Sequence, residues 1–179
     1  MAISIAASLG LMEALAPGAG GTVQRVYESL RKRIITLDLP PDTTLTRTEL
    51  TEHYGVSQTP IREALQLLRQ EGLVMVFPQS KTVVTRIDVP QIYEAHFLRV
   101  ALESEVCRRL ASEGDPGVVT RARSIIRMQE AVADDPDQMA IFQELDELFH
   151  QTLFVGLNRG GLHQLVRERS GHLERVRRL

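Results

Sequence analysis

The sequence is short of cysteine, lysine and long apolar runs, and each shortage excludes something. A membrane-spanning helix needs about 18 or more consecutive apolar residues, and no stretch approaches that, so no membrane association is expected. The single cysteine, Cys107, excludes an intrachain disulfide and a cysteine-based zinc knuckle, and it suits a reducing cytosol. A secretory leader needs a positive start, yet the first basic residue is Arg25. Residues 1–21 therefore read as a flexible tail, and the expected location is cytoplasmic. A basic excess is also missing, with a formal net charge of −2. Residues 1–87 carry nine Lys/Arg against eight Asp/Glu, and residues 88–179 carry twelve against fifteen. Any nucleic-acid contact must come from the placement of charge, not from its amount.

What is present is an ordinary globular balance: 179 residues, 43% hydrophobic and 25% charged, enough for one large domain or two small ones. The basic side chains are almost all arginine, nineteen against two lysines. Arginine suits phosphate and carboxylate recognition, and compositional bias accounts for the same count.

Val23, Val26, Tyr27, Leu30, Ile34 and Leu37 recur at helical spacing over 22–37, and Pro40-Pro41 stops the helix. Thr46-Arg47-Thr48-Glu49 is a capping-box pattern that starts a second helix ending near Tyr54 at Gly55. Ser57 is placed to cap a third, Gln58 to about Gln70, with Pro60 in its first turn and Ile61, Ala64, Leu65 and Leu68 as the inner stripe. Two apolar runs, Leu73–Phe77 and Thr82–Ile87, flank Pro78-Gln79-Ser80-Lys81 as a hairpin. This order predicts a winged helix-turn-helix over 22–87.

After residue 87 no strand signal appears. Asp88 starts a long helix to about Ser112, two more run over about 118–133 and 137–157, and a last one begins near Leu162. The expected fold class is thus mainly α: a winged helix-turn-helix with a small β-hairpin wing, followed by an all-α helical-bundle domain over 88–179.

On the third helix the outward positions are Gln58, Thr59, Arg62, Glu63, Gln66 and Arg69, with Gln58, Arg62, Gln66 and Arg69 roughly on one face. Arginine and glutamine match guanine and adenine edges in the major groove, and Thr59 can hold a phosphate. The alternative is an ordinary solvated face. Candidate DNA contacts are Arg47, Ser57, Gln58, Thr59, Arg62, Gln66, Arg69, Ser80 and Lys81. Asp146 and His150, at i and i+4 on one helix, suit a divalent metal of the zinc, nickel or manganese class, or else form a surface pair worth about 0.2–0.5 kcal/mol. Arg99 lies amid Phe97, Leu98, Val100, Leu102 and Val106, and a buried arginine needs an anion. Cys107 reads as a small core residue.

Residues 23–87 resemble the N-terminal winged helix of GntR-type bacterial transcription regulators. The resemblance rests on Leu50-Thr51-Glu52-His53-Tyr54-Gly55-Val56-Ser57, Thr59-Pro60-Ile61-Arg62-Glu63-Ala64-Leu65 and Leu68-Arg69-Gln70-Glu71-Gly72-Leu73-Val74. It implies that Arg62 and Arg69 meet the operator, Ser57 and Thr59 hold phosphates, and the hairpin tip enters the minor groove. Two positions depart from the family: Gln58 stands where arginine is usual, and Lys81 where a wing-tip glycine is usual. The operator sequence is therefore not transferable. The second half resembles the FCD effector domain of the FadR subfamily. The stretches are Ile92-Tyr93-Glu94, Leu98-Arg99-Val100-Ala101-Leu102-Glu103, Leu145-Asp146-Glu147-Leu148-Phe149-His150, Gly156-Leu157-Asn158 and His172-Leu173-Glu174-Arg175-Val176-Arg177-Arg178-Leu179.

That resemblance implies a metal held by Asp146, His150 and two later histidines, completed by a small carboxylate effector. Arg99 faces the effector in that picture, or forms a structural salt bridge to Glu103 or a neighbouring helix. His163 and His172 do not match the family's ligand positions. The chain ends without a proline, glycine or cap, so the expectation is that roughly the last two helices lie beyond it, leaving the metal site incomplete. The function implied is a homodimeric regulator whose hold on a double-stranded operator is modulated by an organic-acid or sugar-acid effector, with repression as the commoner sense. A metal-dependent enzyme using Asp146 and His150 is the alternative, although no nucleophile motif, general base or phosphate loop accompanies the pair. A non-regulatory architectural DNA binder is the other.

Overall fold

In the computed structural model, the described residues are 19–77 and 81–178. They fall into two compact units, one comprising residues 19–96 and 168–178, the other residues 97–167. The compact units thus divide the chain differently from a single cut at 87/88. Residues 1–18 of the expected tail lie outside the described residues, and 19–21 already belong to a helix.

The first, winged unit begins with α1 (Ala19–Ile35). Val26, Tyr27, Leu30 and Ile34 are buried along one side of it. The helix stops two residues earlier than the apolar spacing suggests. Thr36 turns its hydroxyl back on the Lys32 carbonyl at 3.0 Å, and Leu37 takes a left-handed φ of 63° ahead of the prolines. A two-residue strand, β1 (Thr44–Leu45), follows. It is too short to give an alternating pattern and was not expected from the sequence.

Helix α2 (Arg47–Tyr54) starts at Thr46, the N-cap of the predicted capping-box stretch. The Glu49 amide donates to Thr46 Oγ1 at 3.3 Å, and the Thr46 hydroxyl donates to Glu49 Oε2 at 2.6 Å. Gly55 ends it in the left-handed region at φ 63°, with open space where a side chain would stand. Helix α3 (Gln58–Gln70) then buries Ile61, Ala64, Leu65 and Leu68. Strands β2 (Val74–Val76) and β3 (Thr82–Val84) pair antiparallel, with Met75 opposite Val83, and the sheet order is β1-β3-β2. Val26, Leu30 and Ile34 share one core with Ile61, Leu68, Leu73 and Val84, so α1, α3 and the sheet set one another's positions.

Helix α4 (Val89–Glu113) passes from the winged unit into the helical unit. Its start is capped by Asp88, whose Oδ1 accepts from the Gln91 amide at 3.2 Å. In the helical unit α5 (Pro116–Glu130) is capped by Asp115, and a short 3-10 turn (Pro136–Gln138) leads into α6 (Met139–Gly156). Val106, Leu110, Val118, Phe154 and Val166 form one core cluster there, and Ile125, Leu145 and Leu148 another. Cys107 is exposed, which corrects its reading as a core residue: Val106 and Leu110 occupy the buried side of α4. The last predicted helix is two pieces, α7 (Gly160–Arg169) and α8 (Gly171–Val176), broken at Ser170. Among the described residues no helix is long and apolar enough to cross a membrane.

The left-handed backbone at Gly55 gives a direct test. Gly55→Ala meets no steric obstacle but costs about 1–2 kcal/mol in backbone conformation. Urea unfolding of the variant is expected to show that loss, and an unchanged midpoint would contradict the assigned turn.

Candidate nucleic-acid interface

The turn between α2 and α3 presents the polar face of α3 because the opposite face is committed to the core. Gln58, Thr59, Arg62, Glu63, Gln66 and Arg69 are all exposed, while Ile61, Ala64, Leu65 and Leu68 anchor the other side. Arg47, the first residue of α2, is exposed as well. Ser57 occupies the N-cap position with extended backbone but makes no capping hydrogen bond through its side chain. Its hydroxyl is exposed, which differs from the expected cap. The wing closes with the Phe77 amide donating to the Lys81 carbonyl at 2.8 Å, and the Lys81 ammonium stands 5.9 Å from the Phe77 ring centroid. Ser80, at the expected wing tip, lies outside the described residues.

The far end of α3 is fixed by a buried ion pair. Glu71, the cap of α3, accepts from Arg31 Nε at 2.8 Å and from the Tyr27 hydroxyl. Arg31 and Glu71 side chains are 4% and 5% exposed, so both charges are out of water. Burial works against the Arg31 charge, and the carboxylates of Glu174 and Glu71 outweigh it, holding its pKa above the ordinary arginine value. Sequence analysis did not single out Arg31, one of the basic residues between the apolar positions of α1. The available signal was its spacing: positions 27, 31 and 34 share one face.

In the helical unit, Arg99 on α4 donates to Glu103 Oε1 at 3.1 Å. The same oxygen lies 3.3 Å from His150 Nδ1, and His150 Nε2 lies 3.8 Å from Asp146 Oδ1. Arg99 and the Asp146–His150 pair, singled out separately in the sequence, thus meet through Glu103. His163 is turned instead toward Glu147, 3.4 Å away, and His172 belongs to the winged unit. Among the described residues no group of three or more His, Cys, Asp or Glu side chains is arranged to hold a metal ion. The Glu103 carboxylate already serves Arg99. The residues present therefore do not make a metal centre by themselves.

A helix-turn-helix with a solvated arginine–glutamine face, backed by a three-stranded wing, defines the winged helix class of DNA-binding modules. The comparisons with known proteins agree with that class. Residues 22–84 match the sequence model described as bacterial regulatory proteins, gntR family, and residues 91–179 match the FCD domain. The chain belongs to this family and joins the two domains in the FadR-like order.

It is 41% identical over 154 residues to an HTH-type transcriptional regulator in an unstable DNA locus of Streptomyces ambofaciens, covering 86% of this chain and 64% of the relative. It is 33% identical over 130 residues to the HTH-type transcriptional repressor RspR of Escherichia coli K12, covering 73% and 57%. The solved structure of E. coli McbR/YncC matches with a TM-score of 0.72 at 20% identity, over 88% of this chain and 74% of that one, which supports the fold. The chain thus spans about three-fifths of the length of these curated relatives. The family and these relatives are regulators, not enzymes, so the reading of Asp146 and His150 as a catalytic pair falls.

Because the α3 face is solvated, Arg62→Ala and Arg69→Ala should each change unfolding free energy by less than about 0.5 kcal/mol. A larger loss in denaturant titration would mean that these side chains serve the fold.

Proposed function

We propose that the chain carries the operator-reading and effector-sensing elements of a one-component transcription regulator acting in the cytoplasm. The observation that carries this reading is the α3 face: Gln58, Thr59, Arg62, Gln66 and Arg69 lie exposed on a helix whose other side is locked into a core. Placed in a major groove, Arg62 and Arg69 donate to guanine edges, Gln58 and Gln66 to adenine edges, and Ser57, Thr59 and Arg47 hold phosphates. Lys81 at the wing reaches the adjacent minor groove. Two copies read a pseudo-palindromic site whose half-sites are about one helical turn apart.

The helical unit supplies the response. A small organic acid or sugar acid pairs with Arg99, which is now held by Glu103, and its affinity differs between the operator-competent and operator-released arrangements. Only such a difference can shift the balance between them. Repression relieved by the effector is the proposed sense, supported by a relative named as a repressor. In a protein of the relatives' length, Asp146 and His150 contribute two donors to a divalent metal of the zinc, nickel or manganese class.

Arg62→Ala should weaken operator binding by about 1–3 kcal/mol at fixed salt, read in a mobility-shift titration. Unchanged affinity would remove Arg62 from the reading face. In a protein of the relatives' length, Asp146→Ala combined with His150→Ala should abolish bound metal by elemental analysis. Stoichiometric metal in that double variant would exclude the pair as ligands.

A further inference from the structure

Helix α8 has six residues, from Gly171 to Val176, too few to persist in water on propensity alone. Yet Gly171, His172 and Arg175 are buried, and Arg175 is 0% exposed. Its backbone approaches the sheet so closely that a Cβ on Gly171 would stand 2.8 Å from Leu73 Cδ2. The chain enters the helical unit within α4, leaves it within α7, and α8 lies on the winged unit. What holds it there is polar. Arg175 donates through Nη1 to the Thr85 carbonyl at 2.7 Å, and through Nη2 to the Arg86 carbonyl at 3.2 Å and to His172 Nδ1 at 2.8 Å. All three acceptors are neutral, and Arg175 Nε has no acceptor.

His172 Nδ1 also accepts from the Asp88 amide at 3.0 Å. With two donors on Nδ1, the ring proton sits on Nε2 and points to the Gly72 carbonyl at 3.3 Å. That carbonyl also accepts from the Thr85 hydroxyl at 2.6 Å, and the Thr85 amide donates to the Leu73 carbonyl at 3.0 Å. Glu174 completes the set by accepting from both terminal nitrogens of Arg31, each at 3.3 Å.

We propose that His172 and Arg175 are positioning residues for DNA reading, clamping the exit of the wing strand to the end of the recognition helix. This rests on the DNA-binding reading above. Thr85 and Arg86 directly follow β3, and Glu71 and Gly72 directly follow α3. Helix α3 carries candidate groove contacts and β3 directly follows the wing candidate Lys81, and base reading needs such groups held within about 0.5 Å of a productive geometry. A fully buried guanidinium with only neutral acceptors is a costly way to fill space, because an apolar side chain packs there without desolvating a charge. Its geometry has a different use: one rigid planar fork spans two consecutive carbonyls and an imidazole, which a lysine cannot do.

The clamp requires neutral His172, since a proton on Nδ1 would face the Asp88 amide and the Arg175 guanidinium. The charged groups facing the ring are Arg175 from its own helix and Asp88 from the start of α4. Behind them, α1 and α3 contribute the mutually paired Arg31, Glu71 and Glu174. Burial first, then Arg175, pushes the imidazole below its ordinary 6.5, while the Gly72 carbonyl and Asp88 push the other way. A group with a depressed folded pKa gives its full contribution above the unfolded value and loses it as pH falls through the folded one. The clamp is therefore intact above about pH 6.5 and loosens below it.

The test uses the whole chain and a duplex that the wild type selects from a random-sequence pool. Arg175→Lys should lose about tenfold in affinity with unchanged helix content. Wild-type affinity should fall between about pH 7.5 and about pH 5.5. His172→Asn, which keeps an acceptor in place of Nδ1 but cannot take a proton, should bind within about threefold of wild type at the upper pH and show a flatter profile. Arg175→Lys affinity within about twofold of wild type, or a wild-type pH profile in His172→Asn, overturns the proposal. If the wild type selects no duplex at all, the DNA-binding reading fails instead. The clamp is then judged by amide exchange: Arg175→Lys should lose protection at Thr85, and unchanged protection there overturns it.

Discussion

One buried charge organises the winged unit. Arg31 projects from α1 into a site where its side chain is 4% exposed, and a guanidinium out of water must be paired. Glu71 at the end of α3 and Glu174 on α8 supply the anions, and the Tyr27 hydroxyl donates to the second Glu71 oxygen. Removing one partner of such a set typically costs about 3–5 kcal/mol, because the remaining charge stays buried. Three elements far apart in sequence are thus tied at one point. The apolar core alone would pack α1 on α3 but would tolerate small shifts along the helices. The directional hydrogen bonds of Arg31 fix the register.

That register gives the α3 face its meaning. An arginine–glutamine surface on a mobile helix would be a solvated face and nothing more. On a helix held by Ile61, Ala64, Leu65 and Leu68 on one side and by Glu71 at its end, the same side chains stand at fixed spacing beside the wing. The net charge of −2 shows why placement matters more than amount. The chain lacks a strong electrostatic field of its own, so selective contacts must come from where its arginines stand.

The local grammar of the fold was legible in the sequence. Thr46 caps α2 and bonds Glu49 where their spacing predicts, Gly55 takes the left-handed turn, and the runs flanking 78–81 pair as a hairpin. These signals are local, so a single sequence carries them. What was not legible depends on contacts between distant segments. Arg31 could not be given its partners from sequence, because Glu71 and Glu174 stand 40 and 143 positions away. His172 looked like a spare histidine and is a buried acceptor at the base of the wing. The break at Ser170 has no proline to mark it; Gly171, which follows it, is buried against Leu73. Cys107 was misread because an apolar helix has more than one face, and Val106 and Leu110 take the buried one. For the candidate sensing site, the i, i+4 geometry of Asp146 and His150 was visible, while their link to Arg99 through Glu103 required the fold.

The most direct test of sequence reading by α3 is the ratio of affinities for a selected and a scrambled duplex of equal length, taken over a salt series. Sequence reading by α3 predicts tighter binding to the selected duplex by a factor of about 10³ or more at physiological salt. It also predicts similar salt slopes for the two duplexes, because the phosphate contacts are shared. A ratio near one at every salt concentration would contradict the account and leave a binder of DNA backbone only.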